Sequence, residues 1–178
     1  MERFKGKYRI PSARLPGWDY ASPGYYFVTI VTHGRIPYFG DIADGKMRLS
    51  PIGEIVADEW RKTPRIRPNV QLDEWVVMPN HIHGIIVINP TDDRGVSTPT
   101  KNQKWKPNSL GSIINQFKST CTKRIRAMGY PEFAWQSRFY DHIIRDEKSL
   151  QQIRTYICSN PLQWEKDTVH MTGRARFP

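Results

Sequence analysis

The feature that most constrains the fold is a pair of β-rich segments separated by only two residues. Val70–Met78 and His81–Ile88 are rich in β-branched and apolar residues, and Pro79-Asn80 between them has the composition of a tight turn. Segments with so short a connection pair as an antiparallel hairpin. We therefore predict a hairpin over 70–88 within an antiparallel sheet.

Other segments around this hairpin predict the rest of the sheet. Tyr25–Thr32 is apolar and aromatic on both faces, as expected for a buried central strand. Phe139–Ile144 has the composition of a fourth main strand, and Asp44-Gly45 predicts the turn of a small separate hairpin.

Three segments have the apolar periodicity of helices. Ser50-Pro51 begins the first, which we expect to end at Pro64. Leu110–Met128 is the second, and the third should run over 148–160 and end at Pro161. The residues expected to face inward are Leu110, Ile113, Ile114, Phe117, Cys121 and Ile125, and then Leu150, Ile153 and Ile157.

The resulting order is β-α-β-β-α-β followed by one more helix. This order predicts an α+β, ferredoxin-like fold of the split βαβ kind, with an antiparallel sheet and an added C-terminal helix. We expect an irregular basic arm over 1–24, one domain over 25–164 and a tail over 165–178. Within the domain, 89–107 is polar and proline-rich and predicts a long loop or insert.

The charge balance limits the classes of partner. The chain has 27 Lys and Arg against 17 Asp and Glu, a formal net charge of +10. Such an excess favours a polyanion, either nucleic acid or a membrane surface. No amphipathic basic anchor stands at either end and no apolar run is long enough to cross a bilayer, so we expect nucleic acid and no membrane.

Cysteine use and the first residues favour the cytoplasm. Met1–Ile10 is charged and no apolar stretch follows it, so we expect no secretory signal. Cys121 and Cys158 fit a pair of small, reduced core residues. With a nucleic-acid partner, this predicts a cytoplasmic, nucleoid-associated protein.

The hairpin carries the first candidate site. Side chains alternate across a strand, so His81 and His83 share one face while Ile82 points into the core. Two imidazoles placed in this way can share one metal ion. We expect them on an open face of the sheet, with the two crossover helices on the opposite face. From these residues alone, a pair of surface or structural histidines fits as well.

The last helix carries the second candidate site. Tyr156 and Asn160 are four residues apart and lie on one side of it, with Gln152 one turn earlier. A packing tyrosine would fit the same positions. Together with the histidines, however, the set makes a phosphoryl-transfer site with a tyrosine nucleophile. Two imidazoles and an amide oxygen would take Mg²⁺ or Mn²⁺ when a DNA phosphate and waters complete the shell.

Several runs of sequence support this interpretation. Val76–Ile85 (VVMPNHIHGI), Trp135–Arg145 and Tyr156–Pro161 (YICSNP) are the main motifs, and Arg14–Tyr20 and Tyr26–Ile30 extend them towards the N-terminus. The first resembles the HUH segment of single-tyrosine HUH transposases, the second the strand before the catalytic helix, and the third that helix itself. Within the superfamily the chain is most similar to the REP-associated tyrosine transposases.

The resemblance implies a metal-dependent transposase that cleaves and rejoins single-stranded DNA, with palindromic hairpins as substrates. Tyr156 would form a 5′-phosphotyrosine, and His81 and His83 would be ligands of Mg²⁺ or Mn²⁺. Asn160 stands where related transposases often have glutamine, which keeps an amide oxygen with a reach shorter by one methylene. Related proteins occur both as monomers and as homodimers, so either state is open.

The resemblance also implies that basic residues of the arm and the long helix hold the hairpin backbone. The expected DNA contacts are Arg14, Lys118, Lys123, Arg124, Arg126 and Arg138. Trp18, Trp105 and Trp135 are candidates for stacking on unpaired bases. The basic helix face also fits an ordinary solvated surface.

Two other classes use related features. A histidine-triad nucleotide hydrolase would need a histidine where Ile85 stands. An RNA-recognition module would show an aromatic RNP-type strand, which the sequence lacks. A catalytically silent single-strand nucleic-acid-binding domain on the same fold is the open alternative to the enzyme.

Overall fold

The computed structural model describes residues 3–4, 7–8, 14–91 and 106–164. Its strands are β1 (Arg3–Phe4), β2 (Lys7–Tyr8), β3 (Gly24–Val31), β4 (Gly40–Ala43), β5 (Lys46–Leu49), β6 (Val70–Met78), β7 (His81–Ile88) and β8 (Tyr140–Ile144). Its helices are α1 (Pro51–Ile66), α2 (Leu110–Ala127) and α3 (Glu147–Gln163), with a 3₁₀ turn at His33–Arg35. Most of the predicted insert, with Trp105, and the predicted tail lie outside the described residues.

The predicted ferredoxin-like plan is confirmed. The main sheet has the strand order β6-β7-β3-β8, and every neighbouring pair is antiparallel. The chain runs β3-α1-β6-β7-α2-β8, which is the split βαβ order, and α3 is the added helix. Strand β3 is an inner strand, and Tyr26, Val28 and Ile30 on it are fully buried.

The predicted start of α1 is confirmed, but both predicted proline stops are wrong. Ser50 Oγ accepts a hydrogen bond from the Gly53 backbone N–H at 3.1 Å, as an N-cap should. The helix passes Pro64 and ends at Ile66, and α3 passes Pro161 and ends at Gln163. Each proline sits in the last turn, where it removes one hydrogen bond and little helix follows to be disrupted.

Two short hairpins accompany the main sheet. Strands β4 and β5 are joined by Asp44 and Gly45, whose φ angles of 53° and 67° match the predicted turn with two left-handed residues. The other hairpin pairs β1 with β2. The sequence predicted an irregular arm over 1–24, and this hairpin is an exception to that prediction.

Helices α1 and α2 cover one face of the sheet and form the larger core. All six predicted inward-facing residues of α2 are buried. On β7, Gly84 lies under the Trp60 indole of α1. The two are so close that a Cβ added at Gly84 would lie 2.5 Å from Trp60 Cζ2. A bare backbone at this point lets the large ring pack directly on the strand.

Helix α3 covers the opposite face and forms a second, smaller core. Its predicted inward residues Leu150, Ile153 and Ile157 pack with Phe27 and Ile85. We expected the histidines on an open face of the sheet. That expectation is wrong, because α3 lies over part of this face. Of the two cysteines, Cys121 is buried as predicted but Cys158 is exposed.

None of the helices that the structure describes is long and apolar enough to span a membrane.

Candidate active site

The two histidines of β7 point at one position on the α3 side of the sheet. Their Nε2 atoms are 3.0 Å apart, and their ring centroids are 4.4 Å apart. Ile82 between them is fully buried in the larger core. The alternation predicted from sequence is thus confirmed, and both imidazoles present the same ring nitrogen to a shared point.

A hydrogen-bond partner behind each ring sets this orientation. Asn80 Oδ1 lies 2.7 Å from His81 Nδ1, and the Asn80 amide nitrogen donates to the Arg35 carbonyl oxygen at 3.0 Å. Thr29 Oγ1 lies 2.8 Å from His83 Nδ1. Because Asn80 Oδ1 can only accept, His81 carries its proton on Nδ1 and leaves Nε2 free as a ligand. The Thr29 hydroxyl can accept as well as donate, so His83 can adopt the same tautomer.

Both imidazoles are neutral at physiological pH. Burial lowers the pKa of His81 to about 3, with a further contribution from the positive charge of Arg35. Burial also holds the pKa of His83 well below its usual range, and the neighbouring His81 acts in the same direction. Neutral imidazole is the form that binds metal ions.

Tyr156 brings a phenol to the histidine pair. Its hydroxyl lies 3.4 Å from His83 Nε2, and the two rings are 5.3 Å apart. Phe27 of β3 supports both, because it stacks on His83 at 5.5 Å and meets Tyr156 edge-on at 6.2 Å. The predicted nucleophile is thus placed beside the histidines.

The helix that carries Tyr156 is tied to the edge of the sheet. Strand β6 has a register shift between Leu72 and Trp75, and Asp73 lies in it. Arg154 of α3 makes two parallel hydrogen bonds to the Asp73 carboxylate, at 2.9 and 2.6 Å. Such a bidentate pair fixes direction as well as distance. It therefore sets how the Tyr156 turn of the helix faces the sheet.

The end of α3 closes the site on the His81 side. Asn160, one turn after Tyr156, is buried at 8 % exposure. The Trp164 ring lies 5.9 Å from the His81 ring. Asn160 thus has the helix position predicted for it and lies out of solvent.

The donor set suits a divalent ion only with ligands from outside the chain. Within 14–91 and 106–164 there is no group of three or more His, Cys, Asp and Glu side chains that could hold a metal. The predicted ligands, His81, His83 and Asn160, are not such a group, because the third is an amide side chain. Two converging neutral Nε2 atoms with no proton between them would repel each other, and a cation placed between them removes that repulsion.

The fold agrees with comparisons to known proteins. No family model matches the chain. An uncharacterized Haemophilus influenzae protein is 38 % identical over 169 residues, which covers 90 % of this chain and 92 % of the relative. An Escherichia coli protein named REP-associated tyrosine transposase is 32 % identical over 108 residues, covering 59 % of this chain and 53 % of that protein. These relatives confirm the resemblance to REP-associated tyrosine transposases that the motifs indicated.

A solved structure has the same fold as this chain. It is a REP-associated tyrosine transposase bound to a REP hairpin, and it matches with a TM-score of 0.60 at 23 % identity. The match covers 87 % of this chain and 74 % of that one. The fold predicted from the sequence is therefore confirmed.

The basic residues expected to contact DNA in a REP-associated tyrosine transposase are not brought to the histidines. Helix α2 lies on the other face of the sheet, and three of its four predicted contacts are occupied within the protein. Lys118 donates to the Gln136 carbonyl oxygen at 2.7 Å, and burial lowers its pKa to about 8. Arg124 pairs with Asp58 and Glu59 of α1.

Of the remaining predicted DNA contacts, some have partners within the protein and others are exposed. Arg126 donates to the Phe133 carbonyl oxygen at 3.0 Å. Arg14 lies 5.1 Å from the Phe139 ring centroid and 5.5 Å from that of Tyr20. Lys123 and Arg138 are exposed. The DNA role of these residues stays a prediction.

Two of the tryptophans predicted to stack on bases, Trp18 and Trp135, lie within the described residues, and both pack against the larger core. Trp135 is buried in the larger core at 9 % exposure, so it cannot accept a base, and that prediction is wrong. Trp18 is partly buried against the same core, and its indole N–H donates to Tyr26 Oη at 3.2 Å.

Three supporting residues escaped prediction from the REP-associated transposase motifs. Asn80 could have been noticed, because a turn residue directly before a candidate ligand can orient it. Thr29 and Phe27 become visible only through strand register, since Thr29 is paired with His83 and Phe27 with Ile85 across 54 and more residues of chain.

Proposed function

We propose that this chain is a metal-dependent transposase that cleaves and rejoins single-stranded DNA through a covalent bond to Tyr156. The observation that carries the proposal is the position of the Tyr156 hydroxyl, 3.4 Å from one of two imidazoles whose Nε2 atoms converge at 3.0 Å. A nucleophile held beside a candidate metal pair is the arrangement that phosphoryl transfer needs.

In the proposed reaction, Tyr156 Oη attacks a DNA phosphorus and loses its proton. The new Oη–P bond replaces the P–O3′ bond, and the 3′ oxygen leaves and takes up a proton. The product is a 5′-phosphotyrosine and a free 3′-hydroxyl. A 3′-hydroxyl from a second strand end can attack the phosphotyrosine in the reverse sense, which reseals DNA and restores the phenol. Over cleavage and rejoining together, the number and kind of phosphoester bonds are unchanged, so no ATP is required.

His81, His83 and Asn160 would hold the metal ion, Mg²⁺ or Mn²⁺, with DNA phosphate and water. The ion, when bound, polarises the scissile phosphate and stabilises charge on the displaced oxygen. The chain's own contribution is orientation. Asn80 and Thr29 hold the rings, Phe27 supports the phenol, and α3 excludes water from the buried His83.

The proposed substrate is DNA that folds into a hairpin with unpaired flanks. Two observations support it. The net charge of +10 favours a polyanion, and a protein of the same fold was solved bound to a REP hairpin. Lys123 and Arg138, which are exposed, are the first residues to test for phosphate contact. Association with the nucleoid would follow from such a partner, and a homodimer stays a prediction.

The test is a covalent adduct on a denaturing gel. The protein is incubated with Mn²⁺ and an end-labelled hairpin pool whose flanks are randomised, and the adduct is mapped by peptide digestion. We expect an adduct in wild type and in Tyr140→Phe, and none in Tyr156→Phe, which keeps its ring packing. An adduct in Tyr156→Phe would refute the assignment. DNA binding without any adduct would instead indicate the silent binding domain.

A further inference from the structure

Helix α3 leaves one side of the candidate site accessible. The helix packs on β6 and on the β4–β5 hairpin, at the far end of the sheet from β8. Between the first half of α3 and strands β3 and β8 lies a cleft that encloses about 400 Å³, counting the part open to solvent. Tyr156 is one of its walls. A strand that reaches the Tyr156 hydroxyl from this side must pass through the cleft.

The floor and rim of the cleft differ in chemistry. Tyr140 supplies the accessible aromatic surface, above the buried ring of Phe27, and the two ring centroids lie 6.3 Å apart in an edge-on arrangement. His142 of β8 and Gln152 of α3 line it with exposed polar groups. The described residues that line the cleft include no lysine or arginine. An aromatic floor with a polar rim that lacks lysine and arginine suits a flat ring with hydrogen-bonding edges better than a phosphate.

We propose that this cleft binds the unpaired base of the nucleotide next to the phosphate that Tyr156 attacks. The inference rests on the proposed function, which brings single-stranded DNA to Tyr156. A base flanking the scissile phosphate has left its stack, and aromatic side chains replace the lost contact for any base. The Gln152 amide offers a donor and an acceptor together, as a base edge does, and so can select among bases.

The neighbouring residue Gln151 provides a matched control. Its amide nitrogen donates to Glu147 Oε1 at 2.7 Å on the outer surface of α3, and it does not line the cleft. Gln151→Ala and Gln152→Ala therefore make the same chemical change on the same helix, one outside the cleft and one inside it.

The experiment is a selection with a stem-loop DNA whose two single-stranded flanks are randomised. All proteins carry Tyr156→Phe, so that bound DNA stays uncleaved, and bound molecules are sequenced. We expect enrichment of one base, by about tenfold, at a flank position in the parent and in Gln151→Ala. In Gln152→Ala this enrichment should be lost while DNA is still captured.

A second measurement tests the aromatic floor. An abasic site at the enriched position should weaken binding to the parent by about tenfold, and the loss should be smaller in Tyr140→Leu. If Gln152→Ala keeps the parent's preference, or the abasic loss is the same in Tyr140→Leu, the cleft inference is wrong and the adduct test of Tyr156 still stands. If no protein captures DNA, the cleft inference and the proposed function both fail.

Discussion

Replacing Thr29 with valine should weaken the metal site without disturbing the rest of the fold. Thr29 Oγ1 lies 2.8 Å from His83 Nδ1, and both residues are buried, at 6 % and 2 % exposure. Valine has nearly the same shape and suits a strand, so the change removes one hydrogen bond and little else. A buried ring nitrogen left without its partner costs about 1–3 kcal/mol in free energy of unfolding.

The effect on metal binding follows from the lost orientation of His83. Removing an outer hydrogen-bond partner of a ligand typically lowers metal affinity by about 10- to 100-fold. We expect a loss of this size for Mn²⁺ in Thr29→Val, measured by calorimetric titration of the metal-free protein. Thr29→Ser keeps the hydroxyl and should recover most of the affinity.

A buried threonine far from the site separates stability from metal binding. Thr63 is buried on α1, and its hydroxyl donates to the Glu59 carbonyl oxygen at 3.3 Å. Thr63→Val should change stability but leave Mn²⁺ affinity as in wild type. If Thr29→Val binds Mn²⁺ as tightly as Thr63→Val does, Thr29 does not orient a metal ligand and the argument is refuted.

Three further predictions concern stability and DNA binding. Because the pKa of His81 is about 3 and that of His83 is also far below 6.5, the unfolded chain binds protons that the folded protein excludes. The free energy of unfolding of the metal-free protein should therefore fall as the pH drops below about 6.5, by up to about 1.4 kcal/mol per pH unit and histidine; denaturant titrations check this, and an equally steep fall in a double His→Gln variant would contradict it. Gly84→Ala should destabilise the protein by roughly 1–3 kcal/mol, because its Cβ would lie 2.5 Å from Trp60 Cζ2; an unchanged denaturation midpoint would show that the indole moves freely. Affinity for single-stranded DNA should fall roughly 20-fold between about 50 and 200 mM salt if three cations contact phosphates, and a salt-independent affinity in a filter-binding titration would exclude an electrostatic DNA surface.

The sequence was sufficient for the fold because its local patterns and its global plan agree. The hairpin over 70–88, the buried strand β3 and the apolar face of α2 all appear where periodicity placed them. The helix ends were less predictable. Pro64 and Pro161 each lose only the hydrogen bond from their own nitrogen to the carbonyl four residues earlier, so the helix can continue for a short distance beyond them. The sequence alone does not show how far it continues.

The site was predictable along the chain but not across it. His81 with His83, and Tyr156 with Asn160, are close in sequence, so alternation and helical spacing reveal each pair. That Tyr156 meets His83 depends on how α3 crosses the sheet, which the Arg154 pairing with Asp73 sets. The sequence could not show which basic residues pair within the protein, because charge gives no sign of an internal partner such as Glu59 for Arg124.

The contact of Trp60 with Gly84 makes two distant positions of the chain dependent on each other during evolution. Gly84 adjoins His83, so its backbone forms the support of the candidate site, while Trp60 belongs to a helix on the far face. A lineage that adds a methyl group at position 84 can keep the strand in place only if position 60 becomes smaller. Reading homologous sequences in pairs, large with small, would then reveal which α1 residues share in maintaining the histidine strand although none of them reaches the substrate.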